Sequence, residues 1–235
     1  MLATPTDLVK ARIIENMVTR RGIILDVGCG VGLCTRHLTK FGRVIGLDVS
    51  KRKISVAKNN NKDTSFILAD GQLLPFRSTQ FDIIIAKDVL EHIIDDWRLL
   101  QEAYRVSNDH AEIILFVPFS LARSISIEAL VFKLTGCNID KVAGHLRRYT
   151  VRHVISMLET SGFRVTQKSF FGHITTSLPI VLLNIGYRAF KKKELSGSPL
   201  LEVVLELLVP MFMLEYRILE RLPGAGLFVS AEKLR

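Results

Sequence analysis

The stretch IILDVGCGVG (23–32) sets a short apolar run directly before three glycines, at positions 28, 30 and 32. A continuous apolar run bounded by glycine reads as a strand covered on both faces. The glycines let the chain turn tightly and bring bare N–H groups against a ligand where a helix begins. That helix follows, with Cys34, Leu38 and Phe41 on one apolar face. A dinucleotide fingerprint, GxGxxG, needs its third glycine at position 33, where this chain has Leu33. The spacing therefore argues against NAD or FAD.

Outward from this turn the pattern repeats. RVIGLDV (43–49), SFILAD (65–70), FDIIIA (81–86) and EIILFVPF (112–119) are further short apolar runs with helical segments between them. Residues 1–20 read as an amphipathic lead-in helix, and 89–104 reads as one helix carrying Leu90, Ile93, Ile94, Trp97, Leu100 and Tyr104. Strands alternating with helices predict a parallel sheet with right-handed crossovers. After residue 119 the rhythm changes to a basic GHLRRYT (144–150), a helix at 151–161 and a strand at 162–171. A long apolar interval, 172–222, then precedes a terminal strand at 226–234.

Acids close the next two strands. Asp48 stands twenty residues after Gly28, where a carboxylate accepts both hydroxyls of a ribose. Asp70 closes the third strand, placed to receive an adenine amino group. Alone, a GxGxG is often only a tight turn, and an Asp after a strand is often a helix cap. Their order on consecutive strand ends describes a nucleoside pocket at the carboxyl edge of a sheet.

These residues resemble the class I S-adenosylmethionine-dependent methyltransferase superfamily, especially its small-molecule, lipid and quinone branch. The resemblance rests on ILDVGCGVG (24–32), GLDVS (46–50), ADGQLLPF (69–76), FDIIIAKDVLEHI (81–93), YRV (104–106), EIILFVPF (112–119), GHLRRYT and SGF (161–163). It implies an α/β, Rossmann-like, seven-stranded, mostly parallel sheet of order 3-2-1-4-5-7-6. Helices would lie on both faces, in one domain over 1–235, with a helical insertion at 172–222 before the last strand. It implies S-adenosylmethionine as cofactor: Gly28, Gly30 and Gly32 flank the methionine part, Asp26 supports it, Asp48 binds ribose, and Asp70 and Gly71 sit by adenine. Cys29, Val49 and Lys87 complete the expected donor contacts. The family's proline–glycine–glycine turn before the fifth strand is replaced by SNDHA (107–111), expected as a surface turn.

Methyl transfer from a sulfonium needs alignment, exclusion of water and sometimes a base, so no invariant catalytic residue is required. The fourth strand ends in Ala86, Lys87, Asp88 and Val89 rather than an Asn/Asp/Ser-Pro-Pro-aromatic tetrapeptide, and no Pro-Cys nucleophile is present. Both facts count against methylation of nucleic acid bases. His145 and His92 are the candidate bases, because imidazole titrates near operating pH. Packing or helix capping is the simpler reading of His92. Arg147, Arg148 and Tyr149 beside His145 suit an anionic substrate group, or else form a solvated basic loop.

The formal net charge is +9 over 235 residues, yet 48% of them are hydrophobic, and mean hydropathy is +0.27. A basic and apolar chain points to a membrane surface more than to RNA. In the interval 172–222, Arg188 and Lys191–Lys193 follow one apolar run, and Glu202, Glu206 and Glu215 interrupt the other, which disfavours spanning a bilayer. The pair reads as a membrane-interface hairpin, a lid over an apolar acceptor, a dimer seam, or ordinary core. The three cysteines form no CxxC pair, so neither a zinc cluster nor a disulfide framework is expected. With no h-region in the opening stretch, the expected setting is cytoplasmic with peripheral membrane contact. The expected activity is methylation of a small lipid, isoprenoid or quinone-like acceptor. The rivals are an RNA or protein methyltransferase using the basic surface, and a non-catalytic donor-binding scaffold.

Overall fold

The computed structural model describes residues 5–135, 140, 143–174 and 199–234. In chain order the elements are α1 (Pro5–Met17), β1 (Gly22–Val27), α2 (Leu33–Leu38), β2 (Gly42–Asp48), α3 (Lys51–Asn60), β3 (Ser65–Leu68) and β4 (Phe81–Lys87). They continue as α4 (Asp96–Val106), β5 (Ser107–Pro118), α5 (Ile127–Thr135), α6 (Val151–Thr160), β6 (Phe163–Phe171), α7 (Pro199–Leu219) and β7 (Gly226–Lys233). The strands form a 7-stranded sheet of order β3-β2-β1-β4-β5-β7-β6. Neighbours from β3 through β5 are parallel, and β7 runs antiparallel to both β5 and β6. This is the expected architecture.

The apolar runs carry no visible alternation because both faces of the sheet are covered. Ile83 and Ile85 of β4 join Val9, Ile13 and Ile14 of α1, Cys34 and Leu38 of α2, and Phe212 and Tyr216 of α7. Ile84 and Ala86 turn the other way, onto Leu99, Leu100 and Ala103 of α4 and Val154, Met157 and Leu158 of α6. The period of two is thus preserved in space while every position is apolar. Burial of both layers is what fixes the register, since a slip by one residue would move each side chain to the opposite core.

Two expectations are corrected. The single helix at 89–104 is a 3-10 turn, Leu90–His92, then an extended Ile93, then α4 beginning at Asp96. Asp95 caps α4 by accepting the Arg98 N–H at 3.0 Å, and an N-cap of this kind starts a helix afresh. Ile94, counted into the apolar stripe, is 84% exposed. The second correction concerns SNDHA (107–111), which is the start of β5 and not a turn. The pairing jumps from Phe81–Ser107 to Ile83–Glu112, with His110 at φ 62. A bulge absorbs the extra residues that a proline–glycine turn would have shed.

Of the 172–222 interval, the helical expectation holds for α7. Residues 175–198, with Arg188 and Lys191–Lys193, lie outside the described residues. Among the described residues no helix is long and apolar enough to cross a membrane.

Candidate active site

Parallel register brings the ends of β1, β2, β3 and β4 to one edge: Val27 pairs with Leu47 and Ala86, and Asp48 pairs with Leu68. The Cys29 N–H donates to the Leu47 carbonyl at 2.9 Å, and the Ala69 N–H to the Asp48 carbonyl at 3.2 Å. The glycine turn is thereby laid across the edge. Gly28 has φ 68, and a Cβ there would stand 2.2 Å from Cγ2 of Val89. Gly30 has φ 56, and a Cβ there would meet nothing within 4 Å. The turn is therefore closed at Gly28 by Val89 and open above Gly30, a cradle of bare backbone for a ligand.

Asp48 anchors this cradle. Its Oδ2 accepts the Gly30 N–H at 3.0 Å, and its Oδ1 accepts the Ser50 N–H at 2.8 Å. A carboxylate offers about four lone-pair sites, so each oxygen keeps one acceptor site beyond these two bonds. Asp26 lies beneath, 1% exposed, taking a hydrogen bond from Thr35 Oγ1 of α2 at 2.5 Å. Burial raises its carboxyl to about 6. An open cradle over Gly30 with spare acceptor sites on Asp48 fits S-adenosylmethionine.

The remaining donor candidates divide. Val49 is 68% exposed beside Asp48. Asp70, also exposed, accepts the Gln72 N–H at 2.8 Å. Gly71 is buried against Val27, with an added Cβ 3.0 Å from it. Cys29 contributes backbone only: its side chain packs with Ile54, Ala57 and Phe66, and burial lifts the thiol above its usual range. Lys87 turns its ammonium toward α1, 3.3 Å from Asp7 and 2.8 Å from Asp88. Lys10 of α1 binds both oxygens of Asp88, at 2.8 and 2.9 Å. These ion pairs hold Asp88 at φ 55, and with it the turn that places Val89 over Gly28.

The two candidate bases meet. The His92 and His145 rings lie 5.2 Å apart, edge to face. Gly144 O lies 3.1 Å from His92 Nδ1, and the Leu146 N–H donates to the Glu91 carbonyl at 2.8 Å. His92 is exposed at the end of the 3-10 turn rather than one turn into a helix. His145 holds Asp140 Oδ1 at 2.9 Å through Nδ1. Burial lowers its pKa against the opposing pull of Asp140. Glu91 completes the group: it is 0% exposed, and one polar side-chain atom of each of Glu91, His92 and His145 lies within 4.8 Å of the others.

The anion-binding role expected of the neighbouring basic cluster does not fit its geometry. Tyr149 is fully buried and donates its hydroxyl to Asp96 Oδ2 at 2.7 Å. Arg148 is committed to Asp140, Glu128 and the Phe119 carbonyl. Arg147 holds Asp96 at 2.9 Å and the Ile94 carbonyl at 2.9 Å. Their partners, all at one end of the sheet, make the 144–149 segment a strap stitched onto the residues following β4. Reading the sequence missed Glu91, Asp140, Asp96 and Lys10. An acid set between Leu90 and His92 in an apolar run was the available signal for Glu91; for Lys10 the sequence carries none.

The chain is similar to known methyltransferases in sequence and in fold. Residues 25–115 match the family model described as Methyltransferase domain. The chain is 35% identical over 99 residues to a ubiquinone biosynthesis O-methyltransferase of Coxiella burnetii, covering 40% of this chain and 42% of that protein. It is 33% identical over 111 residues to a ribosomal protein L11 methyltransferase of Staphylococcus aureus, covering 45% and 35%. The match thus spans less than half the length of these curated relatives. A solved SAM-dependent methyltransferase from Archaeoglobus fulgidus superposes with a TM-score of 0.63 at 19% identity, over 97% of this chain and 94% of that one. By its strand order and glycine turn the chain has the class I methyltransferase fold, and within it residues 25–115 match the methyltransferase domain model.

Proposed function

We propose that this chain transfers a methyl group from S-adenosylmethionine to an oxygen or carbon of a small hydrophobic acceptor of lipid, isoprenoid or quinone type. The donor half is carried by the cradle over Gly30 and by the spare acceptor sites of Asp48. When bound, S-adenosylmethionine supplies a methyl group on a positively charged sulfur. The chain aligns that methyl with the acceptor over the ends of β4 and β5 and excludes water. His145 takes the acceptor's proton, and His92 packs against it.

One observation carries the apolar acceptor. Val49, Ile94, Ile125, Leu146 and Ile174 are all more than half exposed, each in a connection after a strand that ends at the carboxyl edge of the sheet. Apolar side chains gathered around a site, rather than scattered singly, mark an apolar ligand. On α7, Met211, Leu214 and Ile218 are exposed too, next to Arg217 and Arg221, which suits peripheral contact with anionic headgroups.

The test is incubation of the full chain with radiolabelled donor and a total lipid extract. Label is expected in the organic phase and absent with Asp48→Ala. Label found only in protein or RNA would replace this acceptor class, as the L11 relative and the basic surface would then suggest. Donor binding without any product would make the chain a scaffold.

A further inference from the structure

Glu91 is a buried acid in the turn that follows β4. Its side chain is 0% exposed, and among the described residues neither carboxyl oxygen has a hydrogen-bond partner. Burying such a group costs about 1–3 kcal/mol, and more when it is charged. Buried polar groups are so generally satisfied that an orphan of this kind calls for a reason. The cations nearest to it do not serve it, because Lys10 and Lys87 are both bound to Asp88. Its nearest titratable neighbour across the strap is His145, whose Nε2 lies 3.9 Å from Glu91 Oε1.

His145 is thus bracketed by two acids. Asp140 holds Nδ1 at 2.9 Å, and Arg148 Nε fixes Asp140 through both oxygens at 2.8 Å. With Nδ1–H donated to Asp140, the lone pair stands on Nε2, on the side of Glu91 and the β4 turn. The strap makes this arrangement rigid through the Leu146–Glu91 main-chain bond at 2.8 Å.

Resting on the assignment of His145 as the base, we propose that Glu91 is a positioning residue that acts through His145, holding the imidazolium formed when that ring accepts the acceptor's proton. As the new O–CH3 bond forms, the acceptor's O–H bond breaks and its proton moves to Nε2. The S–CH3 bond breaks, with its electron pair left on sulfur. The ring then carries a positive charge between Asp140 on Nδ1 and Glu91 beside Nε2.

The ionisation of Glu91 sets when this support is present. Burial first, then the charge of Asp88, raise its carboxyl to about 8. The other charged or titratable groups facing it are Lys10 from α1, Lys87 from β4, His92 from its own turn, and His145 and Tyr149 from the strap. Below that pH Glu91 is neutral, and above it the carboxylate favours the charged ring. The transfer rate therefore rises twice with pH, once as His145 becomes neutral and again near pH 8.

Two readouts test this on the full chain. In 15N-histidine NMR with S-adenosylhomocysteine bound, the His145 nitrogens should show a second inflection near pH 8 that Glu91→Gln abolishes. In the labelled lipid assay, Glu91→Gln should retain the low-pH limb and lose the upper one, with a deficit of about tenfold at alkaline pH. Asp140→Asn should instead shift the lower limb. Thermal melts confirm that the Gln variant is folded. If His145 titrates identically with and without Glu91, the proposal fails. Tight zinc binding to the wild type that is lost in Glu91→Gln would overturn it too, by giving those oxygens another partner. Full activity in His145→Gln would sink the base assignment itself, while the NMR coupling would be left to stand or fall separately.

Discussion

Replacing Tyr149 by Phe separates a structural role for the strap from a substrate-binding one. The Tyr149 hydroxyl is fully buried, donates to Asp96 Oδ2 at 2.7 Å, and has its pKa raised by burial, so it stays protonated at all working pH values. A hydrogen bond to a charged group contributes about 1.5–3 kcal/mol. Asp96 is itself only 3% exposed, but it keeps Arg147 at 2.9 Å after the substitution. That remaining partner places the loss toward the lower part of the range, about 2 kcal/mol. For a chain of this length, each kcal/mol moves the melting temperature by about 2–4 °C. Tyr149→Phe should therefore melt about 4–8 °C lower, as followed by circular dichroism. Donor affinity by calorimetry should change by less than about twofold, since Tyr149 and the glycine cradle share no partner. An unchanged melting temperature combined with a raised KM for an anionic acceptor would refute this account and restore Tyr149 to the substrate.

Other expectations follow from single contacts. Gly28→Ala should abolish detectable donor binding and destabilise the fold, because the new methyl meets Val89 at 2.2 Å and φ is +68; adding Val89→Ala should relieve the clash but not the backbone strain. Asp48→Asn should weaken donor binding by about a hundredfold in calorimetry, since one ribose acceptor becomes a donor. Asp26, with its carboxyl raised to about 6, binds its proton more tightly folded than unfolded, so its contribution falls as pH rises from about 4 to 6. Asp26→Asn should thus melt higher than wild type at pH 7.5 without donor, with the difference vanishing below about pH 4; equal melting at both would refute the shift. Lys10→Met should raise the KM for donor more than it lowers kcat, because Asp88 then loses the bidentate partner that holds Val89 over Gly28; equal effects on both would argue against that route.

The short strands, the glycine turn and the acids at Asp48 and Asp70 were legible in the sequence because each is local, whereas the strand order came only from the family resemblance those residues carry. A strand and its turn are specified within about ten residues, and parallel crossovers allow few topologies. Where local signals competed, reading failed: the helical spacing of Leu90, Ile93 and Ile94 hid the cap at Asp95, and GHLRRYT advertised free charge. The structure alone decided that Arg147, Arg148 and Tyr149 meet Asp96, Asp140 and Glu128, and that Glu91 lies sealed behind His145. A residue's charge is written in the chain, but whether that charge is spent on a neighbour depends on distances between segments far apart in sequence, which only packing sets.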